Sequence, residues 1–267
     1  MRGPAPSHIC PVVMSALDGK KGLIVGIANE HSLAYGCARH MHAAGAELAI
    51  TYLNAKTEPY VRPLAQTLQS EIVLPCDVTV PELIDAVYER IRKQWGRLDF
   101  LLHSIAYCPK DDLHSRVVDC SRNGFNEAMD VSVHSLIRMA RLAEPLMAEG
   151  GCLLTLSYYG AEKVVDRYNI MGPVKAALVA TVRYLAAELG RKGIRVNAVS
   201  PGPLKTRAAS GIDHFDELIN QARARAPERQ LVTIEDVGAI AADLVSDSAH
   251  SVTGNIAFVD AGYHVTA

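Results

Sequence analysis

Three absences narrow the class of protein to which this chain of 267 residues belongs. No stretch reaches the roughly 18 uninterrupted apolar residues that a membrane helix requires, so we expect a soluble protein without a membrane partner. The net charge of -2 gives no general electrostatic attraction for nucleic acid. The six cysteines include no C-x-x-C pair, which argues against a disulfide framework or a metal site and favours the reducing cytoplasm; they are Cys10, Cys37, Cys76, Cys108, Cys120 and Cys152.

Composition and length indicate one globular unit. Hydrophobic residues make up 49% of the chain and charged residues 21%, which is ordinary for a folded protein and argues against disorder. A single large domain over 18–267 is the economical interpretation, although two small domains are possible on length alone. We expect residues 1–17 to form a loose extension, because Pro11 interrupts their apolar run and no segment of signal-peptide length follows.

Short apolar runs alternate with longer stretches of helical spacing, a pattern typical of a parallel sheet with helices on both faces. We therefore predict a single-domain, doubly wound α/β fold of the Rossmann type with seven mainly parallel strands. The predicted strands cover 22–26, 47–52, 72–74, 100–102, 152–156, 195–199 and 256–259. The predicted helices cover 32–44, 81–95, 124–148, 168–189 and 235–244, with Gly45 and Gly190 as C-terminal stops. The segment 202–228 breaks this rhythm, and we expect it to cover the substrate.

The first candidate site is the turn after the first predicted strand, which reads G-I-A-N-E-H-S-L-A-Y-G from Gly26 to Gly36. Glycine at 26 lets the backbone turn sharply and approach a pyrophosphate, whose charge the free amides of the following helix stabilise. The pattern is not G-x-G-x-x-G, and an ordinary strand-to-helix turn is the competing interpretation. Its place in the first strand–helix unit favours a dinucleotide. So does Asp77 after the third strand, where a carboxylate can accept a hydrogen bond from an adenine amino group.

The second candidate site follows the fifth predicted strand, where Tyr168 and Lys175 stand seven residues apart. On a helix this spacing puts the phenol and the ammonium on nearly the same face, about 10.5 Å apart along the axis. The competing interpretation is the face of an ordinary amphipathic helix. The position favours a site, because ligands of doubly wound sheets bind at the carboxyl ends of the strands.

Several stretches in one order make the sequence resemble the short-chain dehydrogenase/reductases, and within them the enoyl-acyl-carrier-protein reductases of bacterial fatty-acid synthesis. The resemblance runs from about residue 18 to the C-terminus. The matching stretches are G-I-A-N-E-H-S at 26–32, C-D-V at 76–78, H-S-I-A at 103–106, S-Y-Y-G-A-E at 157–162, Y-N-I-M-G-P-V-K at 168–175 and S-P-G-P-L-K-T-R-A-A-S-G at 200–211. Such a series is far more discriminating than one glycine turn.

Two departures from the wider superfamily favour the enoyl-reducing branch. Carbonyl-reducing members place a tyrosine four residues before the lysine and a serine about thirteen before that tyrosine, where this chain has Met171 and Tyr158. Methionine donates no proton, so ketone reduction by the usual mechanism is disfavoured. Tyr168, three residues further upstream, has the enoyl-reductase position. Addition of hydride to an enoyl thioester develops charge on a carbonyl oxygen distant from the carbon that is reduced, so the donor must stand elsewhere.

The resemblance implies a role for each matching residue. Tyr168 stabilises the enolate oxygen, Lys175 holds the nicotinamide ribose hydroxyls, and Tyr158 lines the substrate pocket with a less defined catalytic part. The alternative for Tyr158 is a buried aromatic residue whose hydroxyl is satisfied. Ala106 is also expected at the substrate. The residues expected at the cofactor are Gly26, Ser32, Leu33, Asp77, Val78, Ser104, Ile105, Lys175, Leu204 and Thr206.

The choice of cofactor depends on the end of the second strand, which reads Y-L-N-A-K over 52–56. It has no acidic residue to select a ribose 2′-hydroxyl and no arginine–lysine pair for a 2′-phosphate, and we favour NADH. Lys56 leaves NADPH open as the alternative.

These features predict reduction of the trans-2 carbon–carbon double bond of enoyl-acyl-carrier-protein thioesters by NADH in fatty-acid elongation. Two alternatives remain, a short-chain reductase for another activated alkene and a non-catalytic dinucleotide-binding sensor. Retention of Tyr168 and Lys175 disfavours the sensor, because cofactor binding alone does not need the phenol.

The resemblance also predicts how the chain associates. Acyl carrier protein is the expected partner, and the basic run at 223–229 is either a contact for it or a solvated face. A homotetramer is expected through the helices predicted at 124–148 and 168–189. Two prolines and a run of small residues predict that 204–215 is a lid that closes over NADH and the acyl chain, and the alternative is a permanently ordered helix that completes the pocket. The apolar residues that serve either the core or the subunit interface are Phe125, Met129, Ile137 and Leu178.

Overall fold

Seven strands form one parallel sheet in the computed structural model, which describes residues 15–204 and 215–266. The strands are β1 (Lys21–Val25), β2 (Glu47–Tyr52), β3 (Ile72–Pro75), β4 (Phe100–His103), β5 (Gly151–Leu156), β6 (Ile194–Pro201) and β7 (Ile256–Val259). Their order is β3-β2-β1-β4-β5-β6-β7, and every neighbouring pair is parallel. The prediction of a doubly wound α/β sheet is confirmed, and its topological switch point lies between β1 and β4.

Helices cover both faces of the sheet. They are α1 (Leu33–Ala43), α2 (Glu58–Thr67), α3 (Pro81–Gln94), α4 (Lys110–His114), α5 (Arg122–Met129), α6 (Ser135–Ala143), α7 (Met171–Leu189), α8 (Phe215–Arg225), α9 (Ile234–Val245) and α10 (Tyr263–Thr266). One core cluster packs α1, α2 and α9 on one face, and a second packs α3, α5, α6 and α7 on the other. Burial on both faces explains why the strands are almost continuous apolar runs.

The prediction of one uninterrupted helix over 124–148 is wrong. The chain forms α5, then a π-helical turn at Asp130–His134, then α6, and it leaves the α-helix in a 3-10 turn at Glu144–Leu146. The π-helical turn adds a residue to the helix, and such turns occur often at functional sites. Pro145 lies in the 3-10 turn and has no amide hydrogen with which to extend the helix.

The helix predicted at 168–189 begins three residues late, as α7 at Met171. Arg167 and Asn169 have left-handed backbones with φ of 61° and 45°, which no α-helix accommodates, so Tyr168 lies in a turn before the helix. At its other end, α7 stops at Leu189 as predicted and Gly190 is its cap, although Gly190 has a helical φ of -58° and starts a 3-10 turn. The left-handed stop is Gly193, with φ of 72°, whereas Gly45 has the expected left-handed φ of 98°.

Sequence patterns did not identify α2, α4, α8 or α10. In α2 only Val61 and Ala65 are buried and Pro63 stands inside the helix, so its apolar periodicity is weak. The helix α8 falls in the segment 202–228, which had no recognisable pattern.

The expected boundary of the loose extension at residue 17 is too late. Leu17 is fully buried, and its amide donates to the Ala44 carbonyl at 2.8 Å, so it belongs to the folded unit. Residues 1–14 and the lid predicted at 204–215, except Leu204 and Phe215, lie outside the described residues. None of the helices in the described ranges has the length and apolar content needed to cross a bilayer.

Candidate active site

The turn after β1 requires glycine for a reason within the protein itself. Gly26 has φ of 112°, and a Cβ atom there would stand 2.0 Å from the Ser104 carbonyl oxygen. The Ser104 amide in turn donates to the Val25 carbonyl at 2.9 Å. The turns after β1 and β4 therefore pack backbone against backbone, with no room for a side chain between them.

Ser32 holds the same turn from its far side. Its Oγ accepts hydrogen bonds from the Ala28 and Asn29 amides, both at 3.0 Å. The Ser32 side chain makes no capping bond to α1, so the positive end of that helix keeps its capacity for an anion. Leu33, the first residue of α1, is half-buried beside it. The turn has the groups that a pyrophosphate would use.

Asp77 and Val78 form the turn after β3. Asp77 Oδ1 accepts from the Thr79 amide at 2.9 Å and from Thr79 Oγ1 at 2.7 Å. The turn thus engages one carboxylate oxygen, while Asp77 Oδ2 stays available to an adenine amino group. The Val78 side chain is buried and fixes the turn against the core.

The other described residues expected at the cofactor are distributed along the same edge. Ser104 and Ile105 are half-buried after β4, and Ala106 is exposed beyond them. Leu204 is half-buried after β6 and packs against the α1–α9 core cluster. Thr206 lies outside the described residues.

Two tyrosines meet beyond the end of β5. The rings of Tyr158 and Tyr168 are in edge contact, with centroids 4.8 Å apart and planes at 61°. Gly160 makes room for this pair, because a Cβ there would stand 2.6 Å from the Tyr168 ring. Burial raises the pKa of both phenols, and each takes a further increase from a neighbouring tyrosine. Both groups therefore remain protonated donors at neutral pH.

Lys175 lies on the first turns of α7 behind these rings. Its Nζ donates to the Leu156 carbonyl at the end of β5, at 2.7 Å, and its side chain is buried. Burial lowers the pKa of this lysine to about 8. The ammonium is still charged at neutral pH, and its acceptor, the Leu156 carbonyl, is two residues before Tyr158 in the chain.

The sequence interpretation missed a buried histidine in this region. His103 ends β4, and its Nδ1 and Nε2 lie 3.0 Å from Thr155 Oγ1 and 2.8 Å from Ser135 Oγ. Burial, followed by the Lys175 charge, lowers its pKa to about 3, so His103 is neutral. It links the ends of β4 and β5 to the first residue of α6. The only sequence signal that could have identified His103 is its place at the start of the H-S-I-A stretch.

Three hydroxyls at this end of the sheet are buried and have no partner within the described residues: Ser157 Oγ, Tyr158 OH and Ser200 Oγ. Ser157 and Ser200 follow the paired residues Leu156 and Val199 of β5 and β6. Neither serine was identified from the sequence. For Tyr158 the alternative of a satisfied hydroxyl does not describe this structure. Buried polar groups without partners are rare and often mark functional sites.

The geometry therefore brings the expected catalytic residues together and sets those expected cofactor residues that the structure describes along the same edge. Tyr158, Tyr168 and Lys175 surround the end of β5, while Gly26 and Ser104 touch at the switch point. Within the described ranges no cluster of three or more histidine, cysteine and acidic side chains has the arrangement of a metal site. The five described cysteines are free thiols.

Known structures share this architecture. The crystal structure of the Aquifex aeolicus enoyl-[acyl-carrier-protein] reductase (NADH) is 48% identical and aligns with a TM-score of 0.91, covering 94% of this chain and 98% of that one. The Anaplasma phagocytophilum enoyl reductase in complex with NAD is 46% identical with a TM-score of 0.90, covering 94% and 95%. The Bacillus cereus enoyl reductase with NADP+ and indole naphthyridinone is 46% identical with a TM-score of 0.92, covering 95% and 100%.

Sequence relatives agree with the structural ones. Enoyl-[acyl-carrier-protein] reductase [NADH] 1 of Rhizobium meliloti is 48% identical over 248 residues, which cover 93% of this chain and 91% of the relative. The family model described as Enoyl-(Acyl carrier protein) reductase matches residues 26–264. The chain therefore belongs to the enoyl-acyl-carrier-protein reductase family, within the short-chain dehydrogenase/reductase fold.

Proposed function

We propose that the chain reduces the trans-2 carbon–carbon double bond of enoyl-acyl-carrier-protein thioesters with NADH as the hydride donor. The observation that carries the proposal is the group at the end of β5, where Tyr158 and Tyr168 are in edge contact and Lys175 is buried beside them. Met171 occupies the position of the carbonyl-reducing tyrosine and begins α7 without a proton to donate. Reduction of an activated alkene is therefore favoured over reduction of a ketone.

The residues present fit a dinucleotide. A methyl group at Gly26 would clash with the Ser104 carbonyl, so glycine is needed to keep the β1 turn this close to the end of β4, and α1 begins directly beyond that turn with its first amides uncapped by a side chain. We assign the pyrophosphate to Gly26, Ser32 and Leu33, and the adenine to Asp77 and Val78. NADH supplies the hydride when bound.

The nicotinamide end of the dinucleotide belongs to the other half of the edge. We assign it to Ser104, Ile105, Leu204 and Thr206, with Lys175 on the ribose hydroxyls. The Lys175 ammonium is buried and charged at neutral pH, so it meets a ribose hydroxyl with little competition from water.

Tyr168 is the residue that we assign to the charge of the transition state. Its burial raises the pKa of the phenol, which therefore keeps its proton and can donate a hydrogen bond to the thioester carbonyl oxygen. The left-handed residues on both sides of Tyr168 hold the ring just before the N-terminus of α7. Asn169 anchors this turn, because its Nδ2 donates to the Leu113 carbonyl at 2.9 Å.

Tyr158 and Ala106 are assigned to the substrate pocket. The Tyr158 ring is half-buried against Tyr168, and its buried hydroxyl has no partner within the described residues, so it remains available to a bound thioester. Ala106 is a small exposed residue at the rim of the same edge. An acyl chain would pass between them.

The decisive experiment measures NADH oxidation by the purified protein with three substrates: a crotonyl thioester on acyl carrier protein, the same acyl group on coenzyme A, and a panel of ketones. We expect turnover with the thioesters, a higher kcat/KM with the carrier protein, and none with ketones. NADPH in place of NADH tests the choice of cofactor, and we expect NADH to be preferred. Asn54, two residues after β2, accepts a hydrogen bond from the Lys56 amide at 3.0 Å, and the segment has no arginine–lysine pair for a 2′-phosphate. Ketone turnover without thioester turnover would refute the proposal.

Association with copies of itself is a second part of the proposal. Phe125 on α5 and Ile137 on α6 are 41% and 39% exposed, and Tyr184 on α7 is 79% exposed, which suits an interface formed by these helices. Leu178 is fully buried and serves the core. Met129 is half-buried and packs against the core. We expect a homotetramer, and sedimentation of a monomer at working concentration would contradict it.

The carrier protein and the compartment are also proposed. Arg223, Arg225 and Arg229 are exposed, as a contact for an acidic carrier protein requires. Replacing Arg223 and Arg225 by glutamate should raise the KM for the carrier-bound thioester and leave the coenzyme A thioester unaffected. An equal effect on both would leave these residues as a solvated face. We place the enzyme in the cytoplasm, which cell fractionation tests.

A further inference from the structure

Arg138, outside the proposed site, is hydrogen-bonded to the turn that we assign to adenine. It lies on α6, and its Nη2 donates to the Val78 carbonyl at 2.7 Å and to Asp130 Oδ2 at 3.3 Å. The Arg138 side chain is 23% exposed. Its guanidinium thus connects the β3–α3 turn to the π-helical turn between α5 and α6.

The turn has internal bonds that set its shape but do not fix its place. The Thr79 amide and hydroxyl both donate to Asp77 Oδ1, and the Val80 amide donates to the Asp77 carbonyl at 3.0 Å. These bonds join residues of the turn to one another. The Cys76 amide, which donates to the Tyr52 carbonyl at 2.8 Å, holds the start of the turn, and beyond it the buried Val78 side chain and the bond from Arg138 attach the turn to the rest of the protein.

The chemistry of the arginine indicates that this attachment is its purpose. Arg138 Nε is buried and has no partner within the described residues, a situation that costs stability. An apolar side chain would cover the same part of the core without that cost. What an apolar side chain could not provide is a charge-assisted hydrogen bond to the Val78 carbonyl, with Asp130 orienting the guanidinium.

We propose that Arg138 is a positioning residue for the adenosine half of the dinucleotide, which it serves through the Val78 carbonyl and not by touching the ligand. The inference rests on the proposed function, because it requires a dinucleotide at Asp77 and Val78. The acceptor that orients Arg138 has a second partner. His134 Nδ1 lies 3.1 Å from Asp130 Oδ1, so Asp130 is shared between His134 and Arg138.

The test compares three substitutions in the full-length protein. Arg138→Met keeps the apolar stem and removes every donor, Arg138→Lys keeps one charged donor, and Arg141→Met removes an exposed arginine from the same helix. We measure the Kd of NADH and of AMP by titration, kcat at saturating NADH, and Tm. Arg138→Met should raise both Kd values about three- to tenfold, because only part of the free energy of the lost charge-assisted bond is felt in ligand binding.

Two further readouts separate positioning from general damage. In Arg138→Met, kcat at saturating NADH should stay within about twofold of the parent, since the reacting groups are untouched. Arg138→Lys should restore most of the affinity for both ligands, and Arg141→Met should change neither Kd. If Arg138→Met does not fold, Arg138→Gln, with a neutral donor, should raise both Kd values and take its place.

The outcomes distinguish this inference from the proposed function. The inference is overturned if Arg138→Met binds NADH and AMP like Arg141→Met. It is also overturned if kcat falls together with affinity and Arg138→Lys does not recover either. Asp77→Ala is the reference for the site itself. If that variant weakens NADH and Arg138→Met does not, only the Arg138 inference fails; if Asp77→Ala has no effect, the proposed dinucleotide site fails as well.

Discussion

The two halves of the carboxyl edge differ in how their polar groups are satisfied. At the ends of β1 and β3, Ser32 Oγ accepts two amide hydrogen bonds and Asp77 Oδ1 accepts two bonds from Thr79. At the ends of β5 and β6, Ser157 Oγ, Tyr158 OH and Ser200 Oγ are buried without a partner among the described residues. Three of the four such atoms in the described ranges stand in this second half; the fourth is Arg138 Nε.

This difference separates a binding surface from a reacting one. In the first half, hydrogen bonds within the protein fix the turns before any ligand arrives, so little ordering is left to oppose binding. In the second half, each unpartnered hydroxyl costs about 1–3 kcal/mol, which a fold tolerates only where another requirement outweighs it. A substrate whose carbonyl must be polarised as charge develops supplies such a requirement.

The largest effect should come from the catalytic half, with Tyr168→Phe. The ring and its contact with Tyr158 remain, but the donor to the thioester carbonyl is lost, so kcat should fall about 10²–10³-fold. The Kd of NADH should stay near the parent value. Tyr60→Phe, at an exposed position on α2, is the matched control and should keep full activity. Full turnover by Tyr168→Phe would remove the phenol from the mechanism.

In the binding half, the sharpest change is Gly26→Ala. Its Cβ would meet the Ser104 carbonyl at 2.0 Å, in a backbone with φ of 112°. Gly19→Ala also introduces a side chain at a positive φ, 70°, but its Cβ would meet nothing within 4 Å. Gly19→Ala should lower the free energy of unfolding by about 1–2 kcal/mol through strain alone. Gly26→Ala should lower it further.

The same pair separates binding from stability. Gly26→Ala should weaken NADH binding more than about tenfold, because displacement of the turn moves the groups that face the pyrophosphate. Gly19→Ala should bind NADH normally. Denaturant unfolding and NADH titration measure the two effects. Equal behaviour of the two variants would mean that the close approach to Ser104 is unimportant.

The sequence could predict the parts of this molecule that depend on local patterns. The strand β4 is an apolar run bounded by charged and polar residues, and all seven strands were identified in this way. The motifs around Asp77, Tyr168 and Lys175 indicated the family. The π-helical turn was not predictable, because its residues bond distant parts of the chain: Ser132 Oγ accepts from the Tyr107 amide at 3.0 Å, 25 residues away.

Residues that act through partners distant in the chain could not be predicted for the same reason. His103 meets Thr155 across 52 positions, and Arg138 meets the Val78 carbonyl across 60. Such separations are far longer than the periods of a helix or a strand, so no local pattern in the sequence marks either residue. The position of Tyr168 in a left-handed turn before α7 was likewise hidden, since Arg167 and Asn169 are not residues that demand such a backbone.

A pH titration tests Lys175, which stands in the catalytic half but serves binding. Its pKa is lowered by burial to about 8, from 10.5 for the free side chain, so the ammonium loses its proton as pH rises through about 8. The affinity for NADH should therefore fall several-fold between about pH 7 and 9. Stability should change in the opposite direction. Between about pH 8 and 10.5 the unfolded chain holds more protons at this group than the folded one, and the free energy of unfolding rises with pH.

Lys175→Met gives the control for both trends. Removing the titrating group should abolish the decline in NADH affinity and the rise in stability, while weakening NADH binding at every pH. Fluorescence titration of NADH and denaturant unfolding across the same pH series provide the two curves. An affinity that stays flat from about pH 7 to 9 in the parent would contradict the assignment of the ammonium to the ribose.

The smallest effect tests the comparison most directly, because it makes the same substitution in both halves. Ser32→Ala removes the acceptor of the Ala28 and Asn29 amides, and the free energy of unfolding should fall by about 1–2 kcal/mol. Ser200→Ala removes a buried hydroxyl that has no partner among the described residues. Since no bond is lost and an unpartnered buried hydroxyl costs about 1–3 kcal/mol, the free energy of unfolding should rise by up to that amount, less the cost of the small cavity that the substitution leaves. Denaturant unfolding measures both variants. If Ser200→Ala is destabilised as much as Ser32→Ala, the Ser200 hydroxyl is bonded in solution and the contrast between the two halves does not hold.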